Sequence, residues 1–190
     1  MDPDKFFLVF PGIFSKPSRA WDEVKDETIG TGLFFLFFGL PFILAGAFGR
    51  ALSDQNLDLY IDRPFFSLWF VHILAHLITL LSGSWMIARM AGTYGLKPGF
   101  GRTMRLSVAS YIPFLLSQIV TGFAPVLAFL PLAGLIHTVF LFWNGAAYVL
   151  EVAPNRLAGF TLLSFFIFLG LGFIGLYLIR MIIFAPVTPS

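Results

Sequence analysis

The sequence has no cysteine, which excludes disulfides, thiolate metal sites and cysteine nucleophiles. Charge is nearly as scarce. Asp, Glu, Lys and Arg make up 12% of the chain, against roughly 25% in an ordinary soluble domain. A soluble fold with so little polar surface would expose large apolar patches, and lipid is the solvent that removes that problem. The net charge of +2 is too small to point to nucleic acid. A basic start running straight into an apolar stretch is missing too. The chain opens Met1-Asp2-Pro3-Asp4-Lys5, and its first apolar run breaks at Pro11-Gly12. No cleavable signal peptide is expected, and the first span should act as its own insertion signal.

What fills the chain instead is apolar: 58% of its 190 residues, with 25 Phe. Crossing a bilayer takes about 20 consecutive apolar residues. Four charge-free windows supply them: 28–49, 64–88, 106–150 and 157–179. The third is about twice the length of one span and is interrupted at Gly122-Phe123-Ala124-Pro125, a turn signal. It reads as a helical hairpin, with a re-entrant pair as the alternative. The expected fold is all-α, a polytopic integral membrane bundle of about five transmembrane helices. Spans are expected near 29–49, 65–88, 106–122, 126–150 and 157–180, within a membrane domain 29–184 that ends in a short tail, 185–190.

Residues 1–28 read as a cytoplasmic interfacial amphipathic segment. Ser15 and Pro17 suit the start of a helix that places Ala20, Trp21 and Val24 on one face. The first reading is an anchor in the headgroup region. The second is a docking helix for a cytosolic partner.

Orientation follows the basic residues. Lys5, Lys16, Arg19 and Lys25 precede the first span. Arg89, Lys97, Arg102 and Arg105 follow the second, and Arg156 follows the fourth. These nine oppose three on the other side, Arg50, Arg63 and Arg180. The N-terminus is expected in the cytoplasm and the C-terminus outside, which puts 51–62, with Asp54, Asp58 and Asp62, in an external loop.

Three histidines lie at membrane depth. His72 and His76 are four apart and share a helix face, half of a zinc arrangement. No acid lies within the expected spans to complete a ligand set, so no metal or other cofactor is expected. His137 should sit at a similar depth in span four. A midplane polar cluster of His72, His76 and His137 pointing into the bundle is the expectation, serving interhelical hydrogen bonds first, then a proton or ion path, then metal. For the same want of an acid, no Ser-His-Asp set is supported and no enzyme is expected.

Gly170-Leu171-Gly172-Phe173-Ile174-Gly175 matches a dinucleotide fingerprint in letters alone. It sits inside an apolar span, without the strand or acidic residue that chemistry requires. Small residues there suit close helix packing, including oligomerisation through Gly-rich faces, and Ala45 with Gly49 offers a similar surface. Pro41 and Pro113 should kink spans one and three. The cluster Arg89, Lys97, Arg102 and Arg105, set among glycines, reads as a topology determinant and a lipid or partner contact.

Four features taken together resemble the Yip family of Rab-GTPase-interacting membrane proteins, in particular its small bacterial members. They are Pro17 and Trp21 before the first span, the Gly-rich loop opening span three at Arg102-Thr103-Met104-Arg105, Tyr111-Ile112-Pro113 within that span, and Tyr148 near the end of span four. The resemblance runs through almost the whole chain. It implies five spans, a cytoplasmic N-terminus and placement in the inner (plasma) membrane. The expected role is a non-enzymatic scaffold or organiser acting through membrane or cytosolic protein partners or lipid, and not nucleic acid. A small transporter or channel with a polar midplane site, and an accessory subunit of a larger complex, are the alternatives.

Overall fold

The computed structural model describes residues 11–12, 17–25, 30–57 and 63–183. Every regular element among them is helical. A short helix, α1 (Pro17–Lys25), precedes α2 (Thr31–Asn56), α3 (Phe65–Met90), α4 (Phe100–Phe123), α5 (Leu130–Val149) and α6 (Pro154–Ile183). Helices α2 to α6 are each long and apolar enough to cross a bilayer. In hydrocarbon each backbone polar group must be satisfied internally, and a helix does this within its own segment.

Proline and glycine set the breaks. Pro64 caps α3, Pro98-Gly99 precedes α4, Pro131 sits in the first turn of α5 and Pro154 opens α6. Proline at a helix start gives up a donor that would be unpaired anyway. Gly95, at φ +76°, ends the 3₁₀ extension of α3, with Leu96 N–H bonded back to the Ala91 carbonyl. A 3₁₀ turn over Pro125–Leu127 makes the hairpin between α4 and α5. With its 20 residues α5 is about 30 Å long. That is a crossing length, which favours a full hairpin over a re-entrant pair.

Helix α4 is the hub. Its most apolar stretch is 72% buried, against 17% for α6. It packs chiefly on α2 and α5, while α6 leans mainly on α3. Glycines permit the closest approach. Gly49 of α2 and Gly122 of α4 meet backbone to backbone, and Gly134 of α5 lies against Ser117 and the Pro113 carbonyl. The 170–175 run does not work this way. Gly170 has nothing within 4 Å of where a Cβ would stand, and Gly172 and Gly175 have only ordinary contacts at 3.7 Å with Thr79 and Ile78. Ala45 is exposed and Gly49 alone of that pair is buried.

The proline in α2 is accommodated by a π turn over Phe35–Gly39. There Leu40 N–H reaches back five residues to the Phe35 carbonyl just before Pro41. Pro113 lies inside α4, which continues unbroken through it.

Three differences from the sequence reading matter for the site. First, α2 runs to Asn56 rather than stopping near 49, because nothing between Gly49 and Leu57 breaks a helix and Arg50 pairs with Asp54 one turn on. Asp54 is therefore a buried helical residue, not part of an external loop. Second, α4 begins at Phe100, so Arg102 and Arg105 are helical. Third, the apolar face of α1 is spent on protein rather than lipid. Ala20, Trp21 and Val24 are buried, and Trp21 is fully enclosed against Leu106 of α4 and Gly145 of α5. Residues 1–10, 13–16 and 26–28 of the expected interfacial segment, Lys5 and Lys16 among them, lie outside the described residues, as do Asp58, Asp62 and the tail.

Candidate functional site

The site starts from Asp54, in the last turns of α2, whose carboxylate is wholly buried. An isolated charge at that depth is costly and requires partners. Three elements supply them. His72 Nε2 of α3 lies 3.0 Å from Oδ2, and Arg180 Nη2 of α6 donates to the same oxygen at 3.0 Å. Arg50, one turn earlier on α2, sets Nη2 2.9 Å from Oδ1 as an ion pair rather than an aligned hydrogen bond. A carboxylate only accepts, so Nε2 of His72 carries the proton. One side chain thus ties α2, α3 and α6 together.

One turn along α3, His76 makes a second set of contacts with α4. Its Nε2 lies 3.0 Å from Gln118 Oε1, and its Nδ1 lies 3.2 Å from the Tyr111 hydroxyl. Gln118 Oε1 accepts from Nε2–H, which leaves Nδ1 to accept from Tyr111. A neutral imidazole satisfies both. Tyr111 and Phe114 pack edge-on to the His76 ring.

Beside this network, between α3, α4, α5 and α6, is a cavity of about 350 Å³. His76, Tyr111 and Gln118 line one part of its wall, and Ser110, Thr138 and Thr161 line another. Most of the remainder is Phe and Leu.

The expected trio of histidines is only partly assembled. His72 and His76 share the buried α3 face, but His137 is placed against Phe140 on its own helix and does not line the cavity. Among the described residues no group of three His, Cys, Asp or Glu is placed to hold a metal ion. Tyr111 and Gln118, the partners of His76, were missed because spacing within one span does not show which face meets another helix, and the partner of His72 because the acid was assigned to a loop. The signal was present: Arg50 and Asp54 stand at i, i+4 with no breaker between them.

The basic cluster divides. Arg89 is exposed and stacks over Trp85, 5.4 Å from the ring centroid, and Lys97 is exposed. Arg102 is half-buried. Arg105, expected at a lipid or partner surface, is 1% exposed. It reaches the Val24 carbonyl of α1 at 3.4 Å and lies over the Phe34 ring. It fastens α1 to the bundle because its helix starts early enough to turn it inward.

The connections at the α1 end of the bundle close around this point. Glu151, at φ +58°, is the left-handed residue ending α5, with Val152 N–H bonded six residues back to the Ala146 carbonyl. Lys25 of α1 donates to its carboxylate at 2.5 Å. That hydrogen bond and the Lys25 charge hold the Glu151 carboxyl below the usual range, with a smaller pull from Arg102. Arg156 donates to the Tyr94 carbonyl at 2.8 Å, joining α6 to the loop after α3.

A Yip1 domain family model matches residues 12–177, which takes in nearly all of the five long helices. The chain belongs to the Yip1 family. No curated protein and no solved structure matches it. As a Yip1 chain with five such helices it is a multi-pass membrane protein whose surface contacts the lipid bilayer. The residues that carried the resemblance now have places. Pro17 opens α1, Trp21 is its buried anchor, Tyr111 holds His76, Pro113 faces Gly134, and Tyr148 is exposed on α5.

Proposed function

We propose that this Yip1-family protein is a non-enzymatic organiser of the inner (plasma) membrane, with its N-terminus in the cytoplasm, acting through protein or lipid partners. The observation that carries this reading is the built face at the α1 end of the bundle. There α1 is folded into the helices, Lys25–Glu151 and Arg156–Tyr94 tie the connections, and Arg89 and Lys97 are left exposed beside a Gly-rich loop. The nine-to-three distribution of basic residues supports the orientation. The buried network supports a non-enzymatic role, because both ring nitrogens of His76 and Nε2 of His72 are taken up by protein groups that hold helices together.

The test is affinity purification from native membranes in mild detergent, wild type against Arg89→Glu/Lys97→Glu. Reproducible partners or anionic lipid that are lost in the double variant support the reading. Identical recoveries from both count against it. A second reading, a small transporter, is favoured by Asp54 and His72, ionisable groups at membrane depth beside a cavity. Proton or ion flux in proteoliposomes that His76→Ala leaves unchanged would remove it.

A further inference from the structure

The cavity has two features that structural packing does not account for. The first is a set of unsatisfied hydroxyls. Ser110 Oγ on α4, Thr138 Oγ1 on α5 and Thr161 Oγ1 on α6 are buried without a hydrogen-bond partner among the described residues. All three residues line the cavity, and Ser110 and Thr161 are each 1% exposed. Serine and threonine in a helix ordinarily bond back to the preceding turn. Thr79, Ser107 and Ser164 of this bundle do so. Buried polar groups left unmade are costly, and three from three helices on one cavity point to something that fills it.

The second feature is where the cavity opens. Helix α5 leans on α4 and α6 leans on α3, so the α5–α6 seam is the loose one. Leu132 of α5 and Phe173 of α6 line the cavity and are 64% and 68% exposed. In a membrane-spanning bundle that entrance faces the bilayer. The occupant therefore comes from lipid and carries an apolar chain.

Size and charge narrow it further. A volume of about 350 Å³ holds roughly a dozen water-sized groups at ~30 Å³ each, room for the head and the first part of one chain, whose remainder runs out through the α5–α6 seam into the bilayer. Arg50 and His72 on the wall are both already bound to Asp54. The described wall groups left without a partner are three neutral hydroxyls, and they match an uncharged head rather than an ion, which is costly to bury.

We infer that the cavity between α3, α4, α5 and α6 binds one single-chain amphiphile with an uncharged, hydrogen-bonding head. Its chain lies among the Phe and Leu side chains of α5 and α6, and its oxygens accept from the hydroxyls of Ser110, Thr138 and Thr161. The inference stands on the cavity alone and does not depend on the α1-end face.

The experiment uses the full chain in mild detergent with three probes: 1-monooleoylglycerol, oleate and dioleoyl phosphatidylglycerol. Native mass spectrometry counts bound molecules, and thermal-shift titration gives affinities. One monooleoylglycerol per chain is expected, retained over the other two. Thr161→Val and Ser110→Ala should each weaken it about 5-fold, the worth of one ordinary hydrogen bond. Gly172→Leu should fill the wall and block it. Leu132→Trp, at an exposed position where folding is not at risk, should slow or weaken entry. Preferential binding of oleate or of the diacyl lipid overturns the inference. So does an absence of any adduct, or monooleoylglycerol binding that all four variants leave unchanged.

Discussion

Gly49 of α2 and Gly122 of α4 stack backbone on backbone, so that a Cβ on Gly49 would collide with the Gln118 carbonyl and Ile119, and one on Gly122 with the backbone of Gly49. The obstacle in both cases is main chain, which cannot rotate away. Asn56 Nδ2 donates to the Gly122 carbonyl at 3.0 Å, so the same crossing also carries an interhelical hydrogen bond. Gly49→Ala or Gly122→Ala should each cost about 1–3 kcal/mol, the usual penalty of overpacking. Gly170→Ala is the control, since nothing lies near its Cβ position and alanine favours the helix. Thermal unfolding in detergent should drop for the first two and hold or rise for the third. Equal behaviour of all three would contradict the crossing.

Among the described residues, Asp54 is the wholly buried carboxylate to which three helices contribute partners. Removing one member of such a group leaves the others uncompensated, and Asp54→Asn should cost about 3 kcal/mol or more. Arg50→Gln should cost far less, at most about 1 kcal/mol, because Arg50 is 35% exposed and reaches solvent or headgroups. Equilibrium unfolding in mixed micelles separates the two. A larger loss for Arg50→Gln than for Asp54→Asn would show that the arginine, not the acid, organises the site.

Glu151 combines a charge effect with a backbone effect. Lys25 holds its carboxyl below the ordinary value of 4.5. A depressed folded-state pKa contributes stability that is present above the unfolded value and lost as pH falls through the folded one. Docking of α1 should therefore weaken as pH drops below about 4.5, and high salt should blunt the effect, since Glu151 is exposed. Emission of Trp21, in a variant with Trp69, Trp85 and Trp143 changed to Phe, reports it. Glu151→Gln should flatten the profile, and an unaltered profile would show that another group titrates. Separately, the left-handed φ of Glu151 favours glycine. Glu151→Gly should be about 1 kcal/mol more stable than Glu151→Ala, although both lose the Lys25 pair.

The number of long helices and their rough places were legible because charge-free windows of spanning length have few other solutions. The hairpin at Gly122–Pro125 was legible for the same reason. The ends were not. Window edges were drawn at the first charge, and charges can stay in a helix when a neighbour one turn away neutralises them, as Arg50 does for Asp54. That one shift hid the centre of the site, because it moved its acid into a loop and left His72 without its partner. His137 was grouped with them on depth alone. Depth fixes height in the bilayer but not azimuth around a helix, and azimuth is what turns His137 away from the cavity.

Arg105 shows the same lesson at the other end of the bundle and gives the last prediction. Its place early in α4 directs the guanidinium inward, to the Val24 carbonyl and the face of Phe34. It therefore holds α1 in place, and Trp21 fills the groove that results. Arg105→Met keeps much of the volume and removes the donor. It should release α1 without altering the five long helices. Limited proteolysis of sealed inverted vesicles should then cut within 17–25, while the same residues in wild type resist. Trp21→Ala should release α1 as well, by emptying the groove. Arg105→Lys should rescue only in part, because an ammonium keeps the charge but lacks the planar face that lies on Phe34. Protection of 17–25 that survives both Arg105→Met and Trp21→Ala would mean that the Lys25–Glu151 pair suffices to seat α1.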